Sequence, residues 1–332
     1  MKKLRFGIIG CSRIAESSTI PAILNSKFAD IQIIGSRSEK KSKKFAEKFK
    51  CPNYGSYEDV LENKDVDAVY ISVPIGLHEK WAIQAAKHGK HILCEKSSTT
   101  SFKSAKKMVS TCKQNNVRLM EALMFRFHPQ HKRVQELINN GVLGKLFIFS
   151  GSYGFSSVPS NDIRYNRELG GGILNDAACY PICASRIIFA GEPLSVISSL
   201  TIDESTQVDV KANLCLKYKN EKFAHMSAGY DLFYQSTYDI WGSEGMLKLG
   251  RAYNIPSDMK ARLLLDSANQ AEEILLEPCN HYLLMIDSFC NEVMKKRNSD
   301  FNFEDDLLKQ ARIMQAARVS NHEKRLVELT EI

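Results

Sequence analysis

In the stretch RELGGGILNDAACYPI, residues Arg167 to Ile182, three consecutive glycines lead into an aspartate and, four residues later, a tyrosine. A run of glycines is costly to order and offers no side chain to pack, so this chain segment needs close backbone approach or unusual dihedrals. Asp176 and Tyr180 would share one face of a helix. A carboxylate and a phenol projecting together from a glycine-rich loop suit proton transfer. The same residues also suit an ordinary helix start with Asn175 as its cap.

The elements that must position these residues fall into two textures. In the first third, the short apolar runs LRFGIIG, IQIIGS, DAVYISVP, HILCEK and VRLMEA alternate with helix-patterned segments. Strands separated by helices of this length pair in parallel through right-handed crossovers, which predicts an α/β doubly wound sheet over residues 1–121. From about Lys145 the runs become longer and alternate with period two: KLFIFSGSYGF, LSVISSLTI, VKANLCLKY, FAHMSAGY, STYDIWGS and GMLKLG. Such strands joined by short turns predict a second, α+β domain with a large, mostly antiparallel open sheet over residues 122–332.

Composition narrows the function classes. With 332 residues, 44% of them hydrophobic, the chain is long enough for two domains and a sizeable core. No apolar stretch reaches the roughly 18 residues that a membrane span needs. The opening MKKLRFGIIGC has the lysines of a signal peptide, but its apolar run is broken by Arg5 and leads into a strand. Nine cysteines without a CxxC pair fit poorly with a disulfide framework. A cytoplasmic protein with no membrane partner is the expectation. The net charge of +7 is spread over many segments beside 38 acidic residues, so no nucleic-acid partner is expected and a small phosphorylated ligand is the better match. Cys179 and Cys183 are four apart without further ligands, and no HExxH-type spacing occurs, so no metal is expected.

FGIIGCSRIA places Gly10, Ser12 and Ala15 on the spacing of a dinucleotide-binding loop, after a strand and before a helix. Gly10, Ser12, Arg13 and Ile14 are therefore candidate cofactor contacts, with the helix amino terminus offering N–H groups to a pyrophosphate. Ser12 replaces the middle glycine, and as a small residue it still allows close approach. At the end of the second strand, IIGSRSEKK has no acid before Glu39; Ser36, Arg37 and Ser38 stand there. An arginine flanked by hydroxyls suits a 2′-phosphate, so NADP is the expected cofactor and NAD the alternative.

HILCEKSSTT and GGGILNDAACYPI, with PIGLHEKWAIQAAKHGKHILCEK, LMEALMFRFHPQ and GVLGKLFIFSG in the same order, resemble the glucose–fructose oxidoreductase, inositol dehydrogenase and MocA (Gfo/Idh/MocA) family. The resemblance covers nearly the whole chain and implies a Rossmann domain followed by an α+β domain whose open sheet makes a homodimer or homotetramer. The family's Glu-Lys-Pro maps to Glu95, Lys96 and Ser97, so the lysine is present and the proline, often a cis-peptide site, is absent. Lys96 is implied to hydrogen-bond the nicotinamide ribose and a substrate oxygen, and Glu95 beside it to contact the cofactor. Where many members carry Asp and then His as the proton-transfer pair, this chain has Asp176 and Tyr180, similar to the subgroup of sugar 3-ketoreductases, aldose dehydrogenases and dihydrodiol dehydrogenases. A phenol, with an ordinary pKa of about 10, would be brought into range by a neighbouring ammonium such as Lys96. Asp176 would orient the substrate or support Lys96, and the glycines would let the chain pass close to substrate and nicotinamide. Arg164, a few residues before the glycines, is similar to a cofactor-contacting position. Pro74 and His78 in SVPIGLH resemble the loop that shapes the nicotinamide pocket, although His78 equally suits a cap for the helix it begins.

These residues imply an NADP-dependent oxidoreductase transferring hydride between the nicotinamide and a carbohydrate carbonyl or secondary alcohol, foremost a nucleotide-linked keto sugar. A dihydrodiol or free-aldose dehydrogenase is the alternative. An NAD-assisted glycosidase is disfavoured by the missing acid on the second strand. A non-enzymatic cofactor-binding regulator would not need Lys96, Asp176 and Tyr180 together.

Overall fold

The computed structural model describes residues 3–268, 271–294 and 302–332. Strands β1 (Leu4–Ile9), β2 (Ala29–Gly35), β3 (Asn53–Gly55), β4 (Ala68–Ile71), β5 (His91–Cys94) and β6 (Leu119–Glu121) form one sheet in the order β3-β2-β1-β4-β5-β6. Every pairing in it is parallel. This is the doubly wound order of a Rossmann sheet, in which the strand order reverses between β1 and β4 and ligands bind at the carboxyl ends of the strands. β4 is buried along its whole length and β1 at all but one position, as expected for strands covered on both faces.

The second sheet has nine strands: β7 (Leu146–Phe155), β8 (Ser195–Ile202), β9 (Asp209–Lys217), β10 (Phe223–Tyr230), β11 (Gln235–Gly242), β12 (Gly245–Leu249), β13 (Ala261–Ser267), β14 (Ala271–Leu276) and β15 (Val327–Glu328). Their order is β14-β13-β12-β11-β7-β10-β9-β8-β15, and only β7 with β10 is parallel. Burial alternates along these strands. Phe149, Leu214, Met226, Tyr238 and Ile240 face the core, while Ile197, His225, Trp241, Lys248 and Leu264 lie exposed on the other face.

The chain divides into two compact units, Met1–Met124 with His281–Leu308, and Phe125–Asn280 with Lys309–Ile332. A division into contiguous domains at residue 121 therefore moves to residue 124, and residues 281–308 return to the first unit. The reason is apolar: helix His281–Val293 buries Met285, Ile286, Phe289 and Cys290, and the Phe289 ring lies 5.9 Å from that of Phe6 on β1. Among the described residues, no helix is long and apolar enough to cross a membrane.

Candidate active site

In the first unit, the predicted cofactor residues lie at the carboxyl ends of β1 and β2. Gly10 has φ of +111°, and a Cβ there would lie 3.0 Å from the Ser72 and Val73 backbone, so only glycine fits. The Ser72 hydroxyl donates to the Gly10 carbonyl at 2.8 Å, fixing the turn. Ser12 Oγ accepts from the Ala15 amide at 3.1 Å, and the Ser12 carbonyl accepts from the Glu16 amide. The serine in the middle-glycine position thus caps the helix that carries Arg13 and Ile14 in its first turn. The first amides of such a helix lack intrahelical acceptors and make an anion site.

After β2, the Ser36 hydroxyl accepts from the Ser38 amide at 3.3 Å, and Ser38 Oγ caps helix Glu39–Phe49 through the Lys41 amide. Arg37 stands exposed between them. Burial pushes the nearby Tyr57 phenol up, and the Arg37 charge opposes that rise. Burial likewise pushes the Cys11 thiol up to about 11. The donor set, an exposed guanidinium between two serines with no carboxylate at 36–38, fits a phosphorylated ribose better than a bare one.

Pro74, His78, Glu95 and Lys96 come together on the loops after β4 and β5. Pro74 precedes the 3₁₀ turn Ile75–Leu77. His78 is the first residue of helix His78–Lys87 and does not cap it; Leu77 holds the cap position without a side-chain bond. The imidazole is buried instead, with Nε2 2.7 Å from the Val73 carbonyl and Nδ1 3.1 Å from the Ser97 carbonyl. It ties the two loops together directly behind Lys96. Two carbonyls would suit an imidazolium, but burial is the larger effect and, with the Lys96 charge, lowers the pKa from 6.5 to about 4. At neutral pH His78 is therefore neutral and donates from one nitrogen only. The Lys96–Ser97 peptide is cis although Ser97 replaces the proline. Lys96 is the one residue between Ile92 and Thr99 that is not buried.

In the second unit, the glycine run turns around groups of the chain itself. Gly170 and Gly172 have φ of +81° and +113°. A Cβ on Gly171 would overlap the Arg164 carbonyl, and one on Gly172 would overlap the Asp209 carboxylate. Asp209 in turn accepts the Leu174 amide at 2.6 Å. Asn175 is not a helix cap: it lies buried inside the π-helical turn Leu174–Ala178, donates to the Gly170 carbonyl at 3.0 Å and accepts from Arg318 at 2.5 Å. Wide turns of this kind recur at functional sites.

Asp176 is the only residue from Gly172 to Arg186 that is not buried. Its Oδ2 accepts from Arg164 Nε at 2.6 Å, and Arg164 Nη1 donates to Asp162 Oδ1 at 3.2 Å. Burial alone would lower the Arg164 pKa, but the Asp176 and Asp162 charges outweigh it and the guanidinium is raised. Arg164, read from the sequence as a cofactor contact, is placed here on two carboxylates, with its guanidinium 5.6 Å from the Phe155 ring centre. Tyr180 is 4% exposed, and its ring lies 5.1 Å from Tyr153, 5.7 Å from Phe125 and 5.8 Å from Tyr253. Sequence reasoning missed these three rings. It also missed Tyr230, whose phenol is raised by burial and by the Asp176 charge and so stays neutral.

Residues 4–123 match the GFO_IDH_MocA oxidoreductase family with its NAD-binding Rossmann fold, and residues 131–248 match the GFO/IDH/MocA C-terminal domain. The chain belongs to this family. It is 30% identical over 293 residues to a dTDP-3,4-didehydro-2,6-dideoxy-alpha-D-glucose 3-reductase of Saccharopolyspora spinosa, covering 88% of each chain. It is 32% identical to D-xylose 1-dehydrogenase (NADP(+)) 2 of Haloferax volcanii, over 87% of this chain and 89% of that one. A 3-ketoreductase from Actinomadura kijaniata, solved in complex with NADP and TDP-benzene, matches with a TM-score of 0.92 at 31% identity, covering 96% of this chain and 98% of that one.

Proposed function

We propose that the protein is an NADP-dependent reductase of a nucleotide-linked keto sugar. The observation that carries this reading is the likeness, along nearly the whole chain, to a 3-ketoreductase that binds NADP and TDP-benzene. The cofactor, when bound, supplies the hydride that reduces the sugar carbonyl. Arg37 binds the 2′-phosphate with Ser36 and Ser38 beside it, and the amides of the Gly10–Ile14 loop bind the pyrophosphate. Pro74 and His78 hold the loops at the nicotinamide end. Lys96 donates to the substrate oxygen, and the Tyr180 hydroxyl delivers the proton to that oxygen as the alcohol forms. Asp176, oriented by Arg164, accepts a substrate hydroxyl.

A panel of nucleotide-linked and free sugars, followed by NADPH fluorescence in both directions, tests the assignment. Turnover of a TDP-linked 3-keto hexose is the expected result. Turnover confined to free aldoses would favour the second reading, an aldose dehydrogenase, which the Haloferax relative supports. A homodimer or homotetramer through the outer sheet face follows from the exposed Ile197, Trp241, Leu264 and Leu275 on it. Light scattering at the 37.5 kDa of one chain would contradict that assembly. None of the nine cysteines is in a disulfide, in keeping with a cytoplasmic location.

A further inference from the structure

Glu95, read from the sequence as a cofactor contact, is a buried carboxylate whose own bonds are to the chain. Its Oε1 accepts from the Tyr70 hydroxyl at 2.5 Å, and its Oε2 accepts from the Lys96 backbone amide at 3.3 Å. Tyr70, wholly buried on β4, accepts in turn from Thr19 Oγ1 at 3.0 Å. Thr19 ends the π-helical turn Ala15–Thr19, in the helix that Ser12 caps. The donors run one way, from Thr19 to Tyr70 to Glu95. The chain therefore ends on an acceptor, and Glu95 satisfies it as a carboxylate.

Burial is the largest effect and leaves the Glu95 pKa raised on balance, while the Tyr70 bond, the Lys96 charge and the Lys96 amide oppose that rise. Two other titratable groups face the carboxylate. Tyr282, on helix His281–Val293, is raised by burial and by the Glu95 charge, and bonds to Ser18. Cys94, on β5, is raised by burial and by the Glu121 and Glu95 charges. Among the described residues, Lys96 is the cation whose charge acts on Glu95.

We propose that the Thr19–Tyr70–Glu95 chain is a positioning device for Lys96: Tyr70 holds Glu95 ionised as the counter-charge of the Lys96 ammonium and orients the Lys96 backbone. Because Thr19 lies in the helix that follows the Gly10–Ile14 loop, the cofactor loop and the lysine share one buried hydrogen-bond chain. The consequence for turnover rests on the role assigned to Lys96 above. The titration of Glu95 does not.

Carbon-13 NMR of the glutamate-labelled full chain reads the device directly, with the Glu95 carboxyl signal identified by its loss in Glu95→Gln. Removing a hydrogen bond to a charged acceptor should raise the Glu95 midpoint by about one to two pH units in Tyr70→Phe. Thr19→Val, which removes the donor behind the phenol, should raise it less. In turnover assays the acid limb of kcat should move upward with the midpoint while KM holds. Lost turnover with an unmoved midpoint in both variants would mark Tyr70 as merely structural and overturn the proposal. Should Tyr70→Phe fail to fold by circular dichroism, the Thr19→Val midpoint decides alone. A parent protein that turns over no sugar would refute the proposed function and leave the midpoint test standing.

Discussion

Two stretches, one in each unit, are built alike and held differently. Lys96 is the only side chain to emerge from the buried run 92–99, and Asp176 the only one from the buried run 172–186. Behind Lys96 lie the His78 ring on the Val73 and Ser97 carbonyls and two buried carboxylates, Glu95 on the Lys96 amide and Glu121 on the Ser98 amide. Asp176 instead sits directly on a guanidinium, itself bound to a second carboxylate, Asp162. On the proposal above, the lysine responds to the ionisation of Glu95. A carboxylate locked to an arginine, which keeps its proton throughout the working range, offers a fixed acceptor. The contrast supports the proposed roles, orientation for Asp176 and proton transfer for Tyr180.

The glycines of the two units differ in the same sense. Gly10 is pressed against the Ser72 and Val73 backbone that follows β4, in the loop proposed to bind the cofactor. Gly171 and Gly172 are pressed against the Arg164 carbonyl and the Asp209 carboxylate, so they serve the fold that aims Asp176. The close approach that the glycine run demanded is to the chain itself.

The largest expected effect tests the division of labour between Asp176 and Tyr180. Tyr180→Phe should cut turnover by about 10²–10⁴-fold, the usual contribution of general acid–base catalysis, with NADPH affinity nearly unchanged. Parental turnover in that variant would return the tyrosine to packing among Phe125, Tyr153 and Tyr253 and erase the contrast. Next in size, Gly172→Ala forces an alanine to φ of +113° against Asp209 and should cost about 1–3 kcal/mol of stability in urea unfolding, with NADPH affinity retained. Gly10→Ala should weaken NADPH binding as well. Equal loss of cofactor affinity in both variants would contradict the different duties read from the two loops. The smallest effect is selective: Arg37→Ala should weaken NADPH binding about tenfold, the value of one charge-assisted contact, and leave NADH binding unchanged. Tighter binding of NADH than NADPH by the parent protein would remove the basis for the phosphate site.

Legibility in the sequence followed burial pattern. β1, β4 and β5 stood out as apolar runs, because covered strands tolerate little else. β3, the tripeptide Asn53–Gly55, is exposed and exists only through its pairing with β2. β13 and β14 lay beyond the last run recognised, GMLKLG, and β14 has no buried position at all. In the site, the Gly10 loop was readable from spacing. The Asn175 cap was misread because the helix opens two residues earlier, after Ile173, through a π turn that leaves the same side chain inside.

The order of elements, the turn that only Gly10 can make and the residue types at 95, 96, 176 and 180 were all determined by the sequence itself, since periodicity and backbone freedom are local properties. Pairing was not. That Arg164 takes Asp176, that Tyr70 takes Glu95 and that helix His281–Val293 packs Phe289 on Phe6 of β1 were decided by tertiary structure alone. A buried charge or hydroxyl bonds to whichever partner folding brings within about 3 Å, and separation along the chain carries no record of that distance.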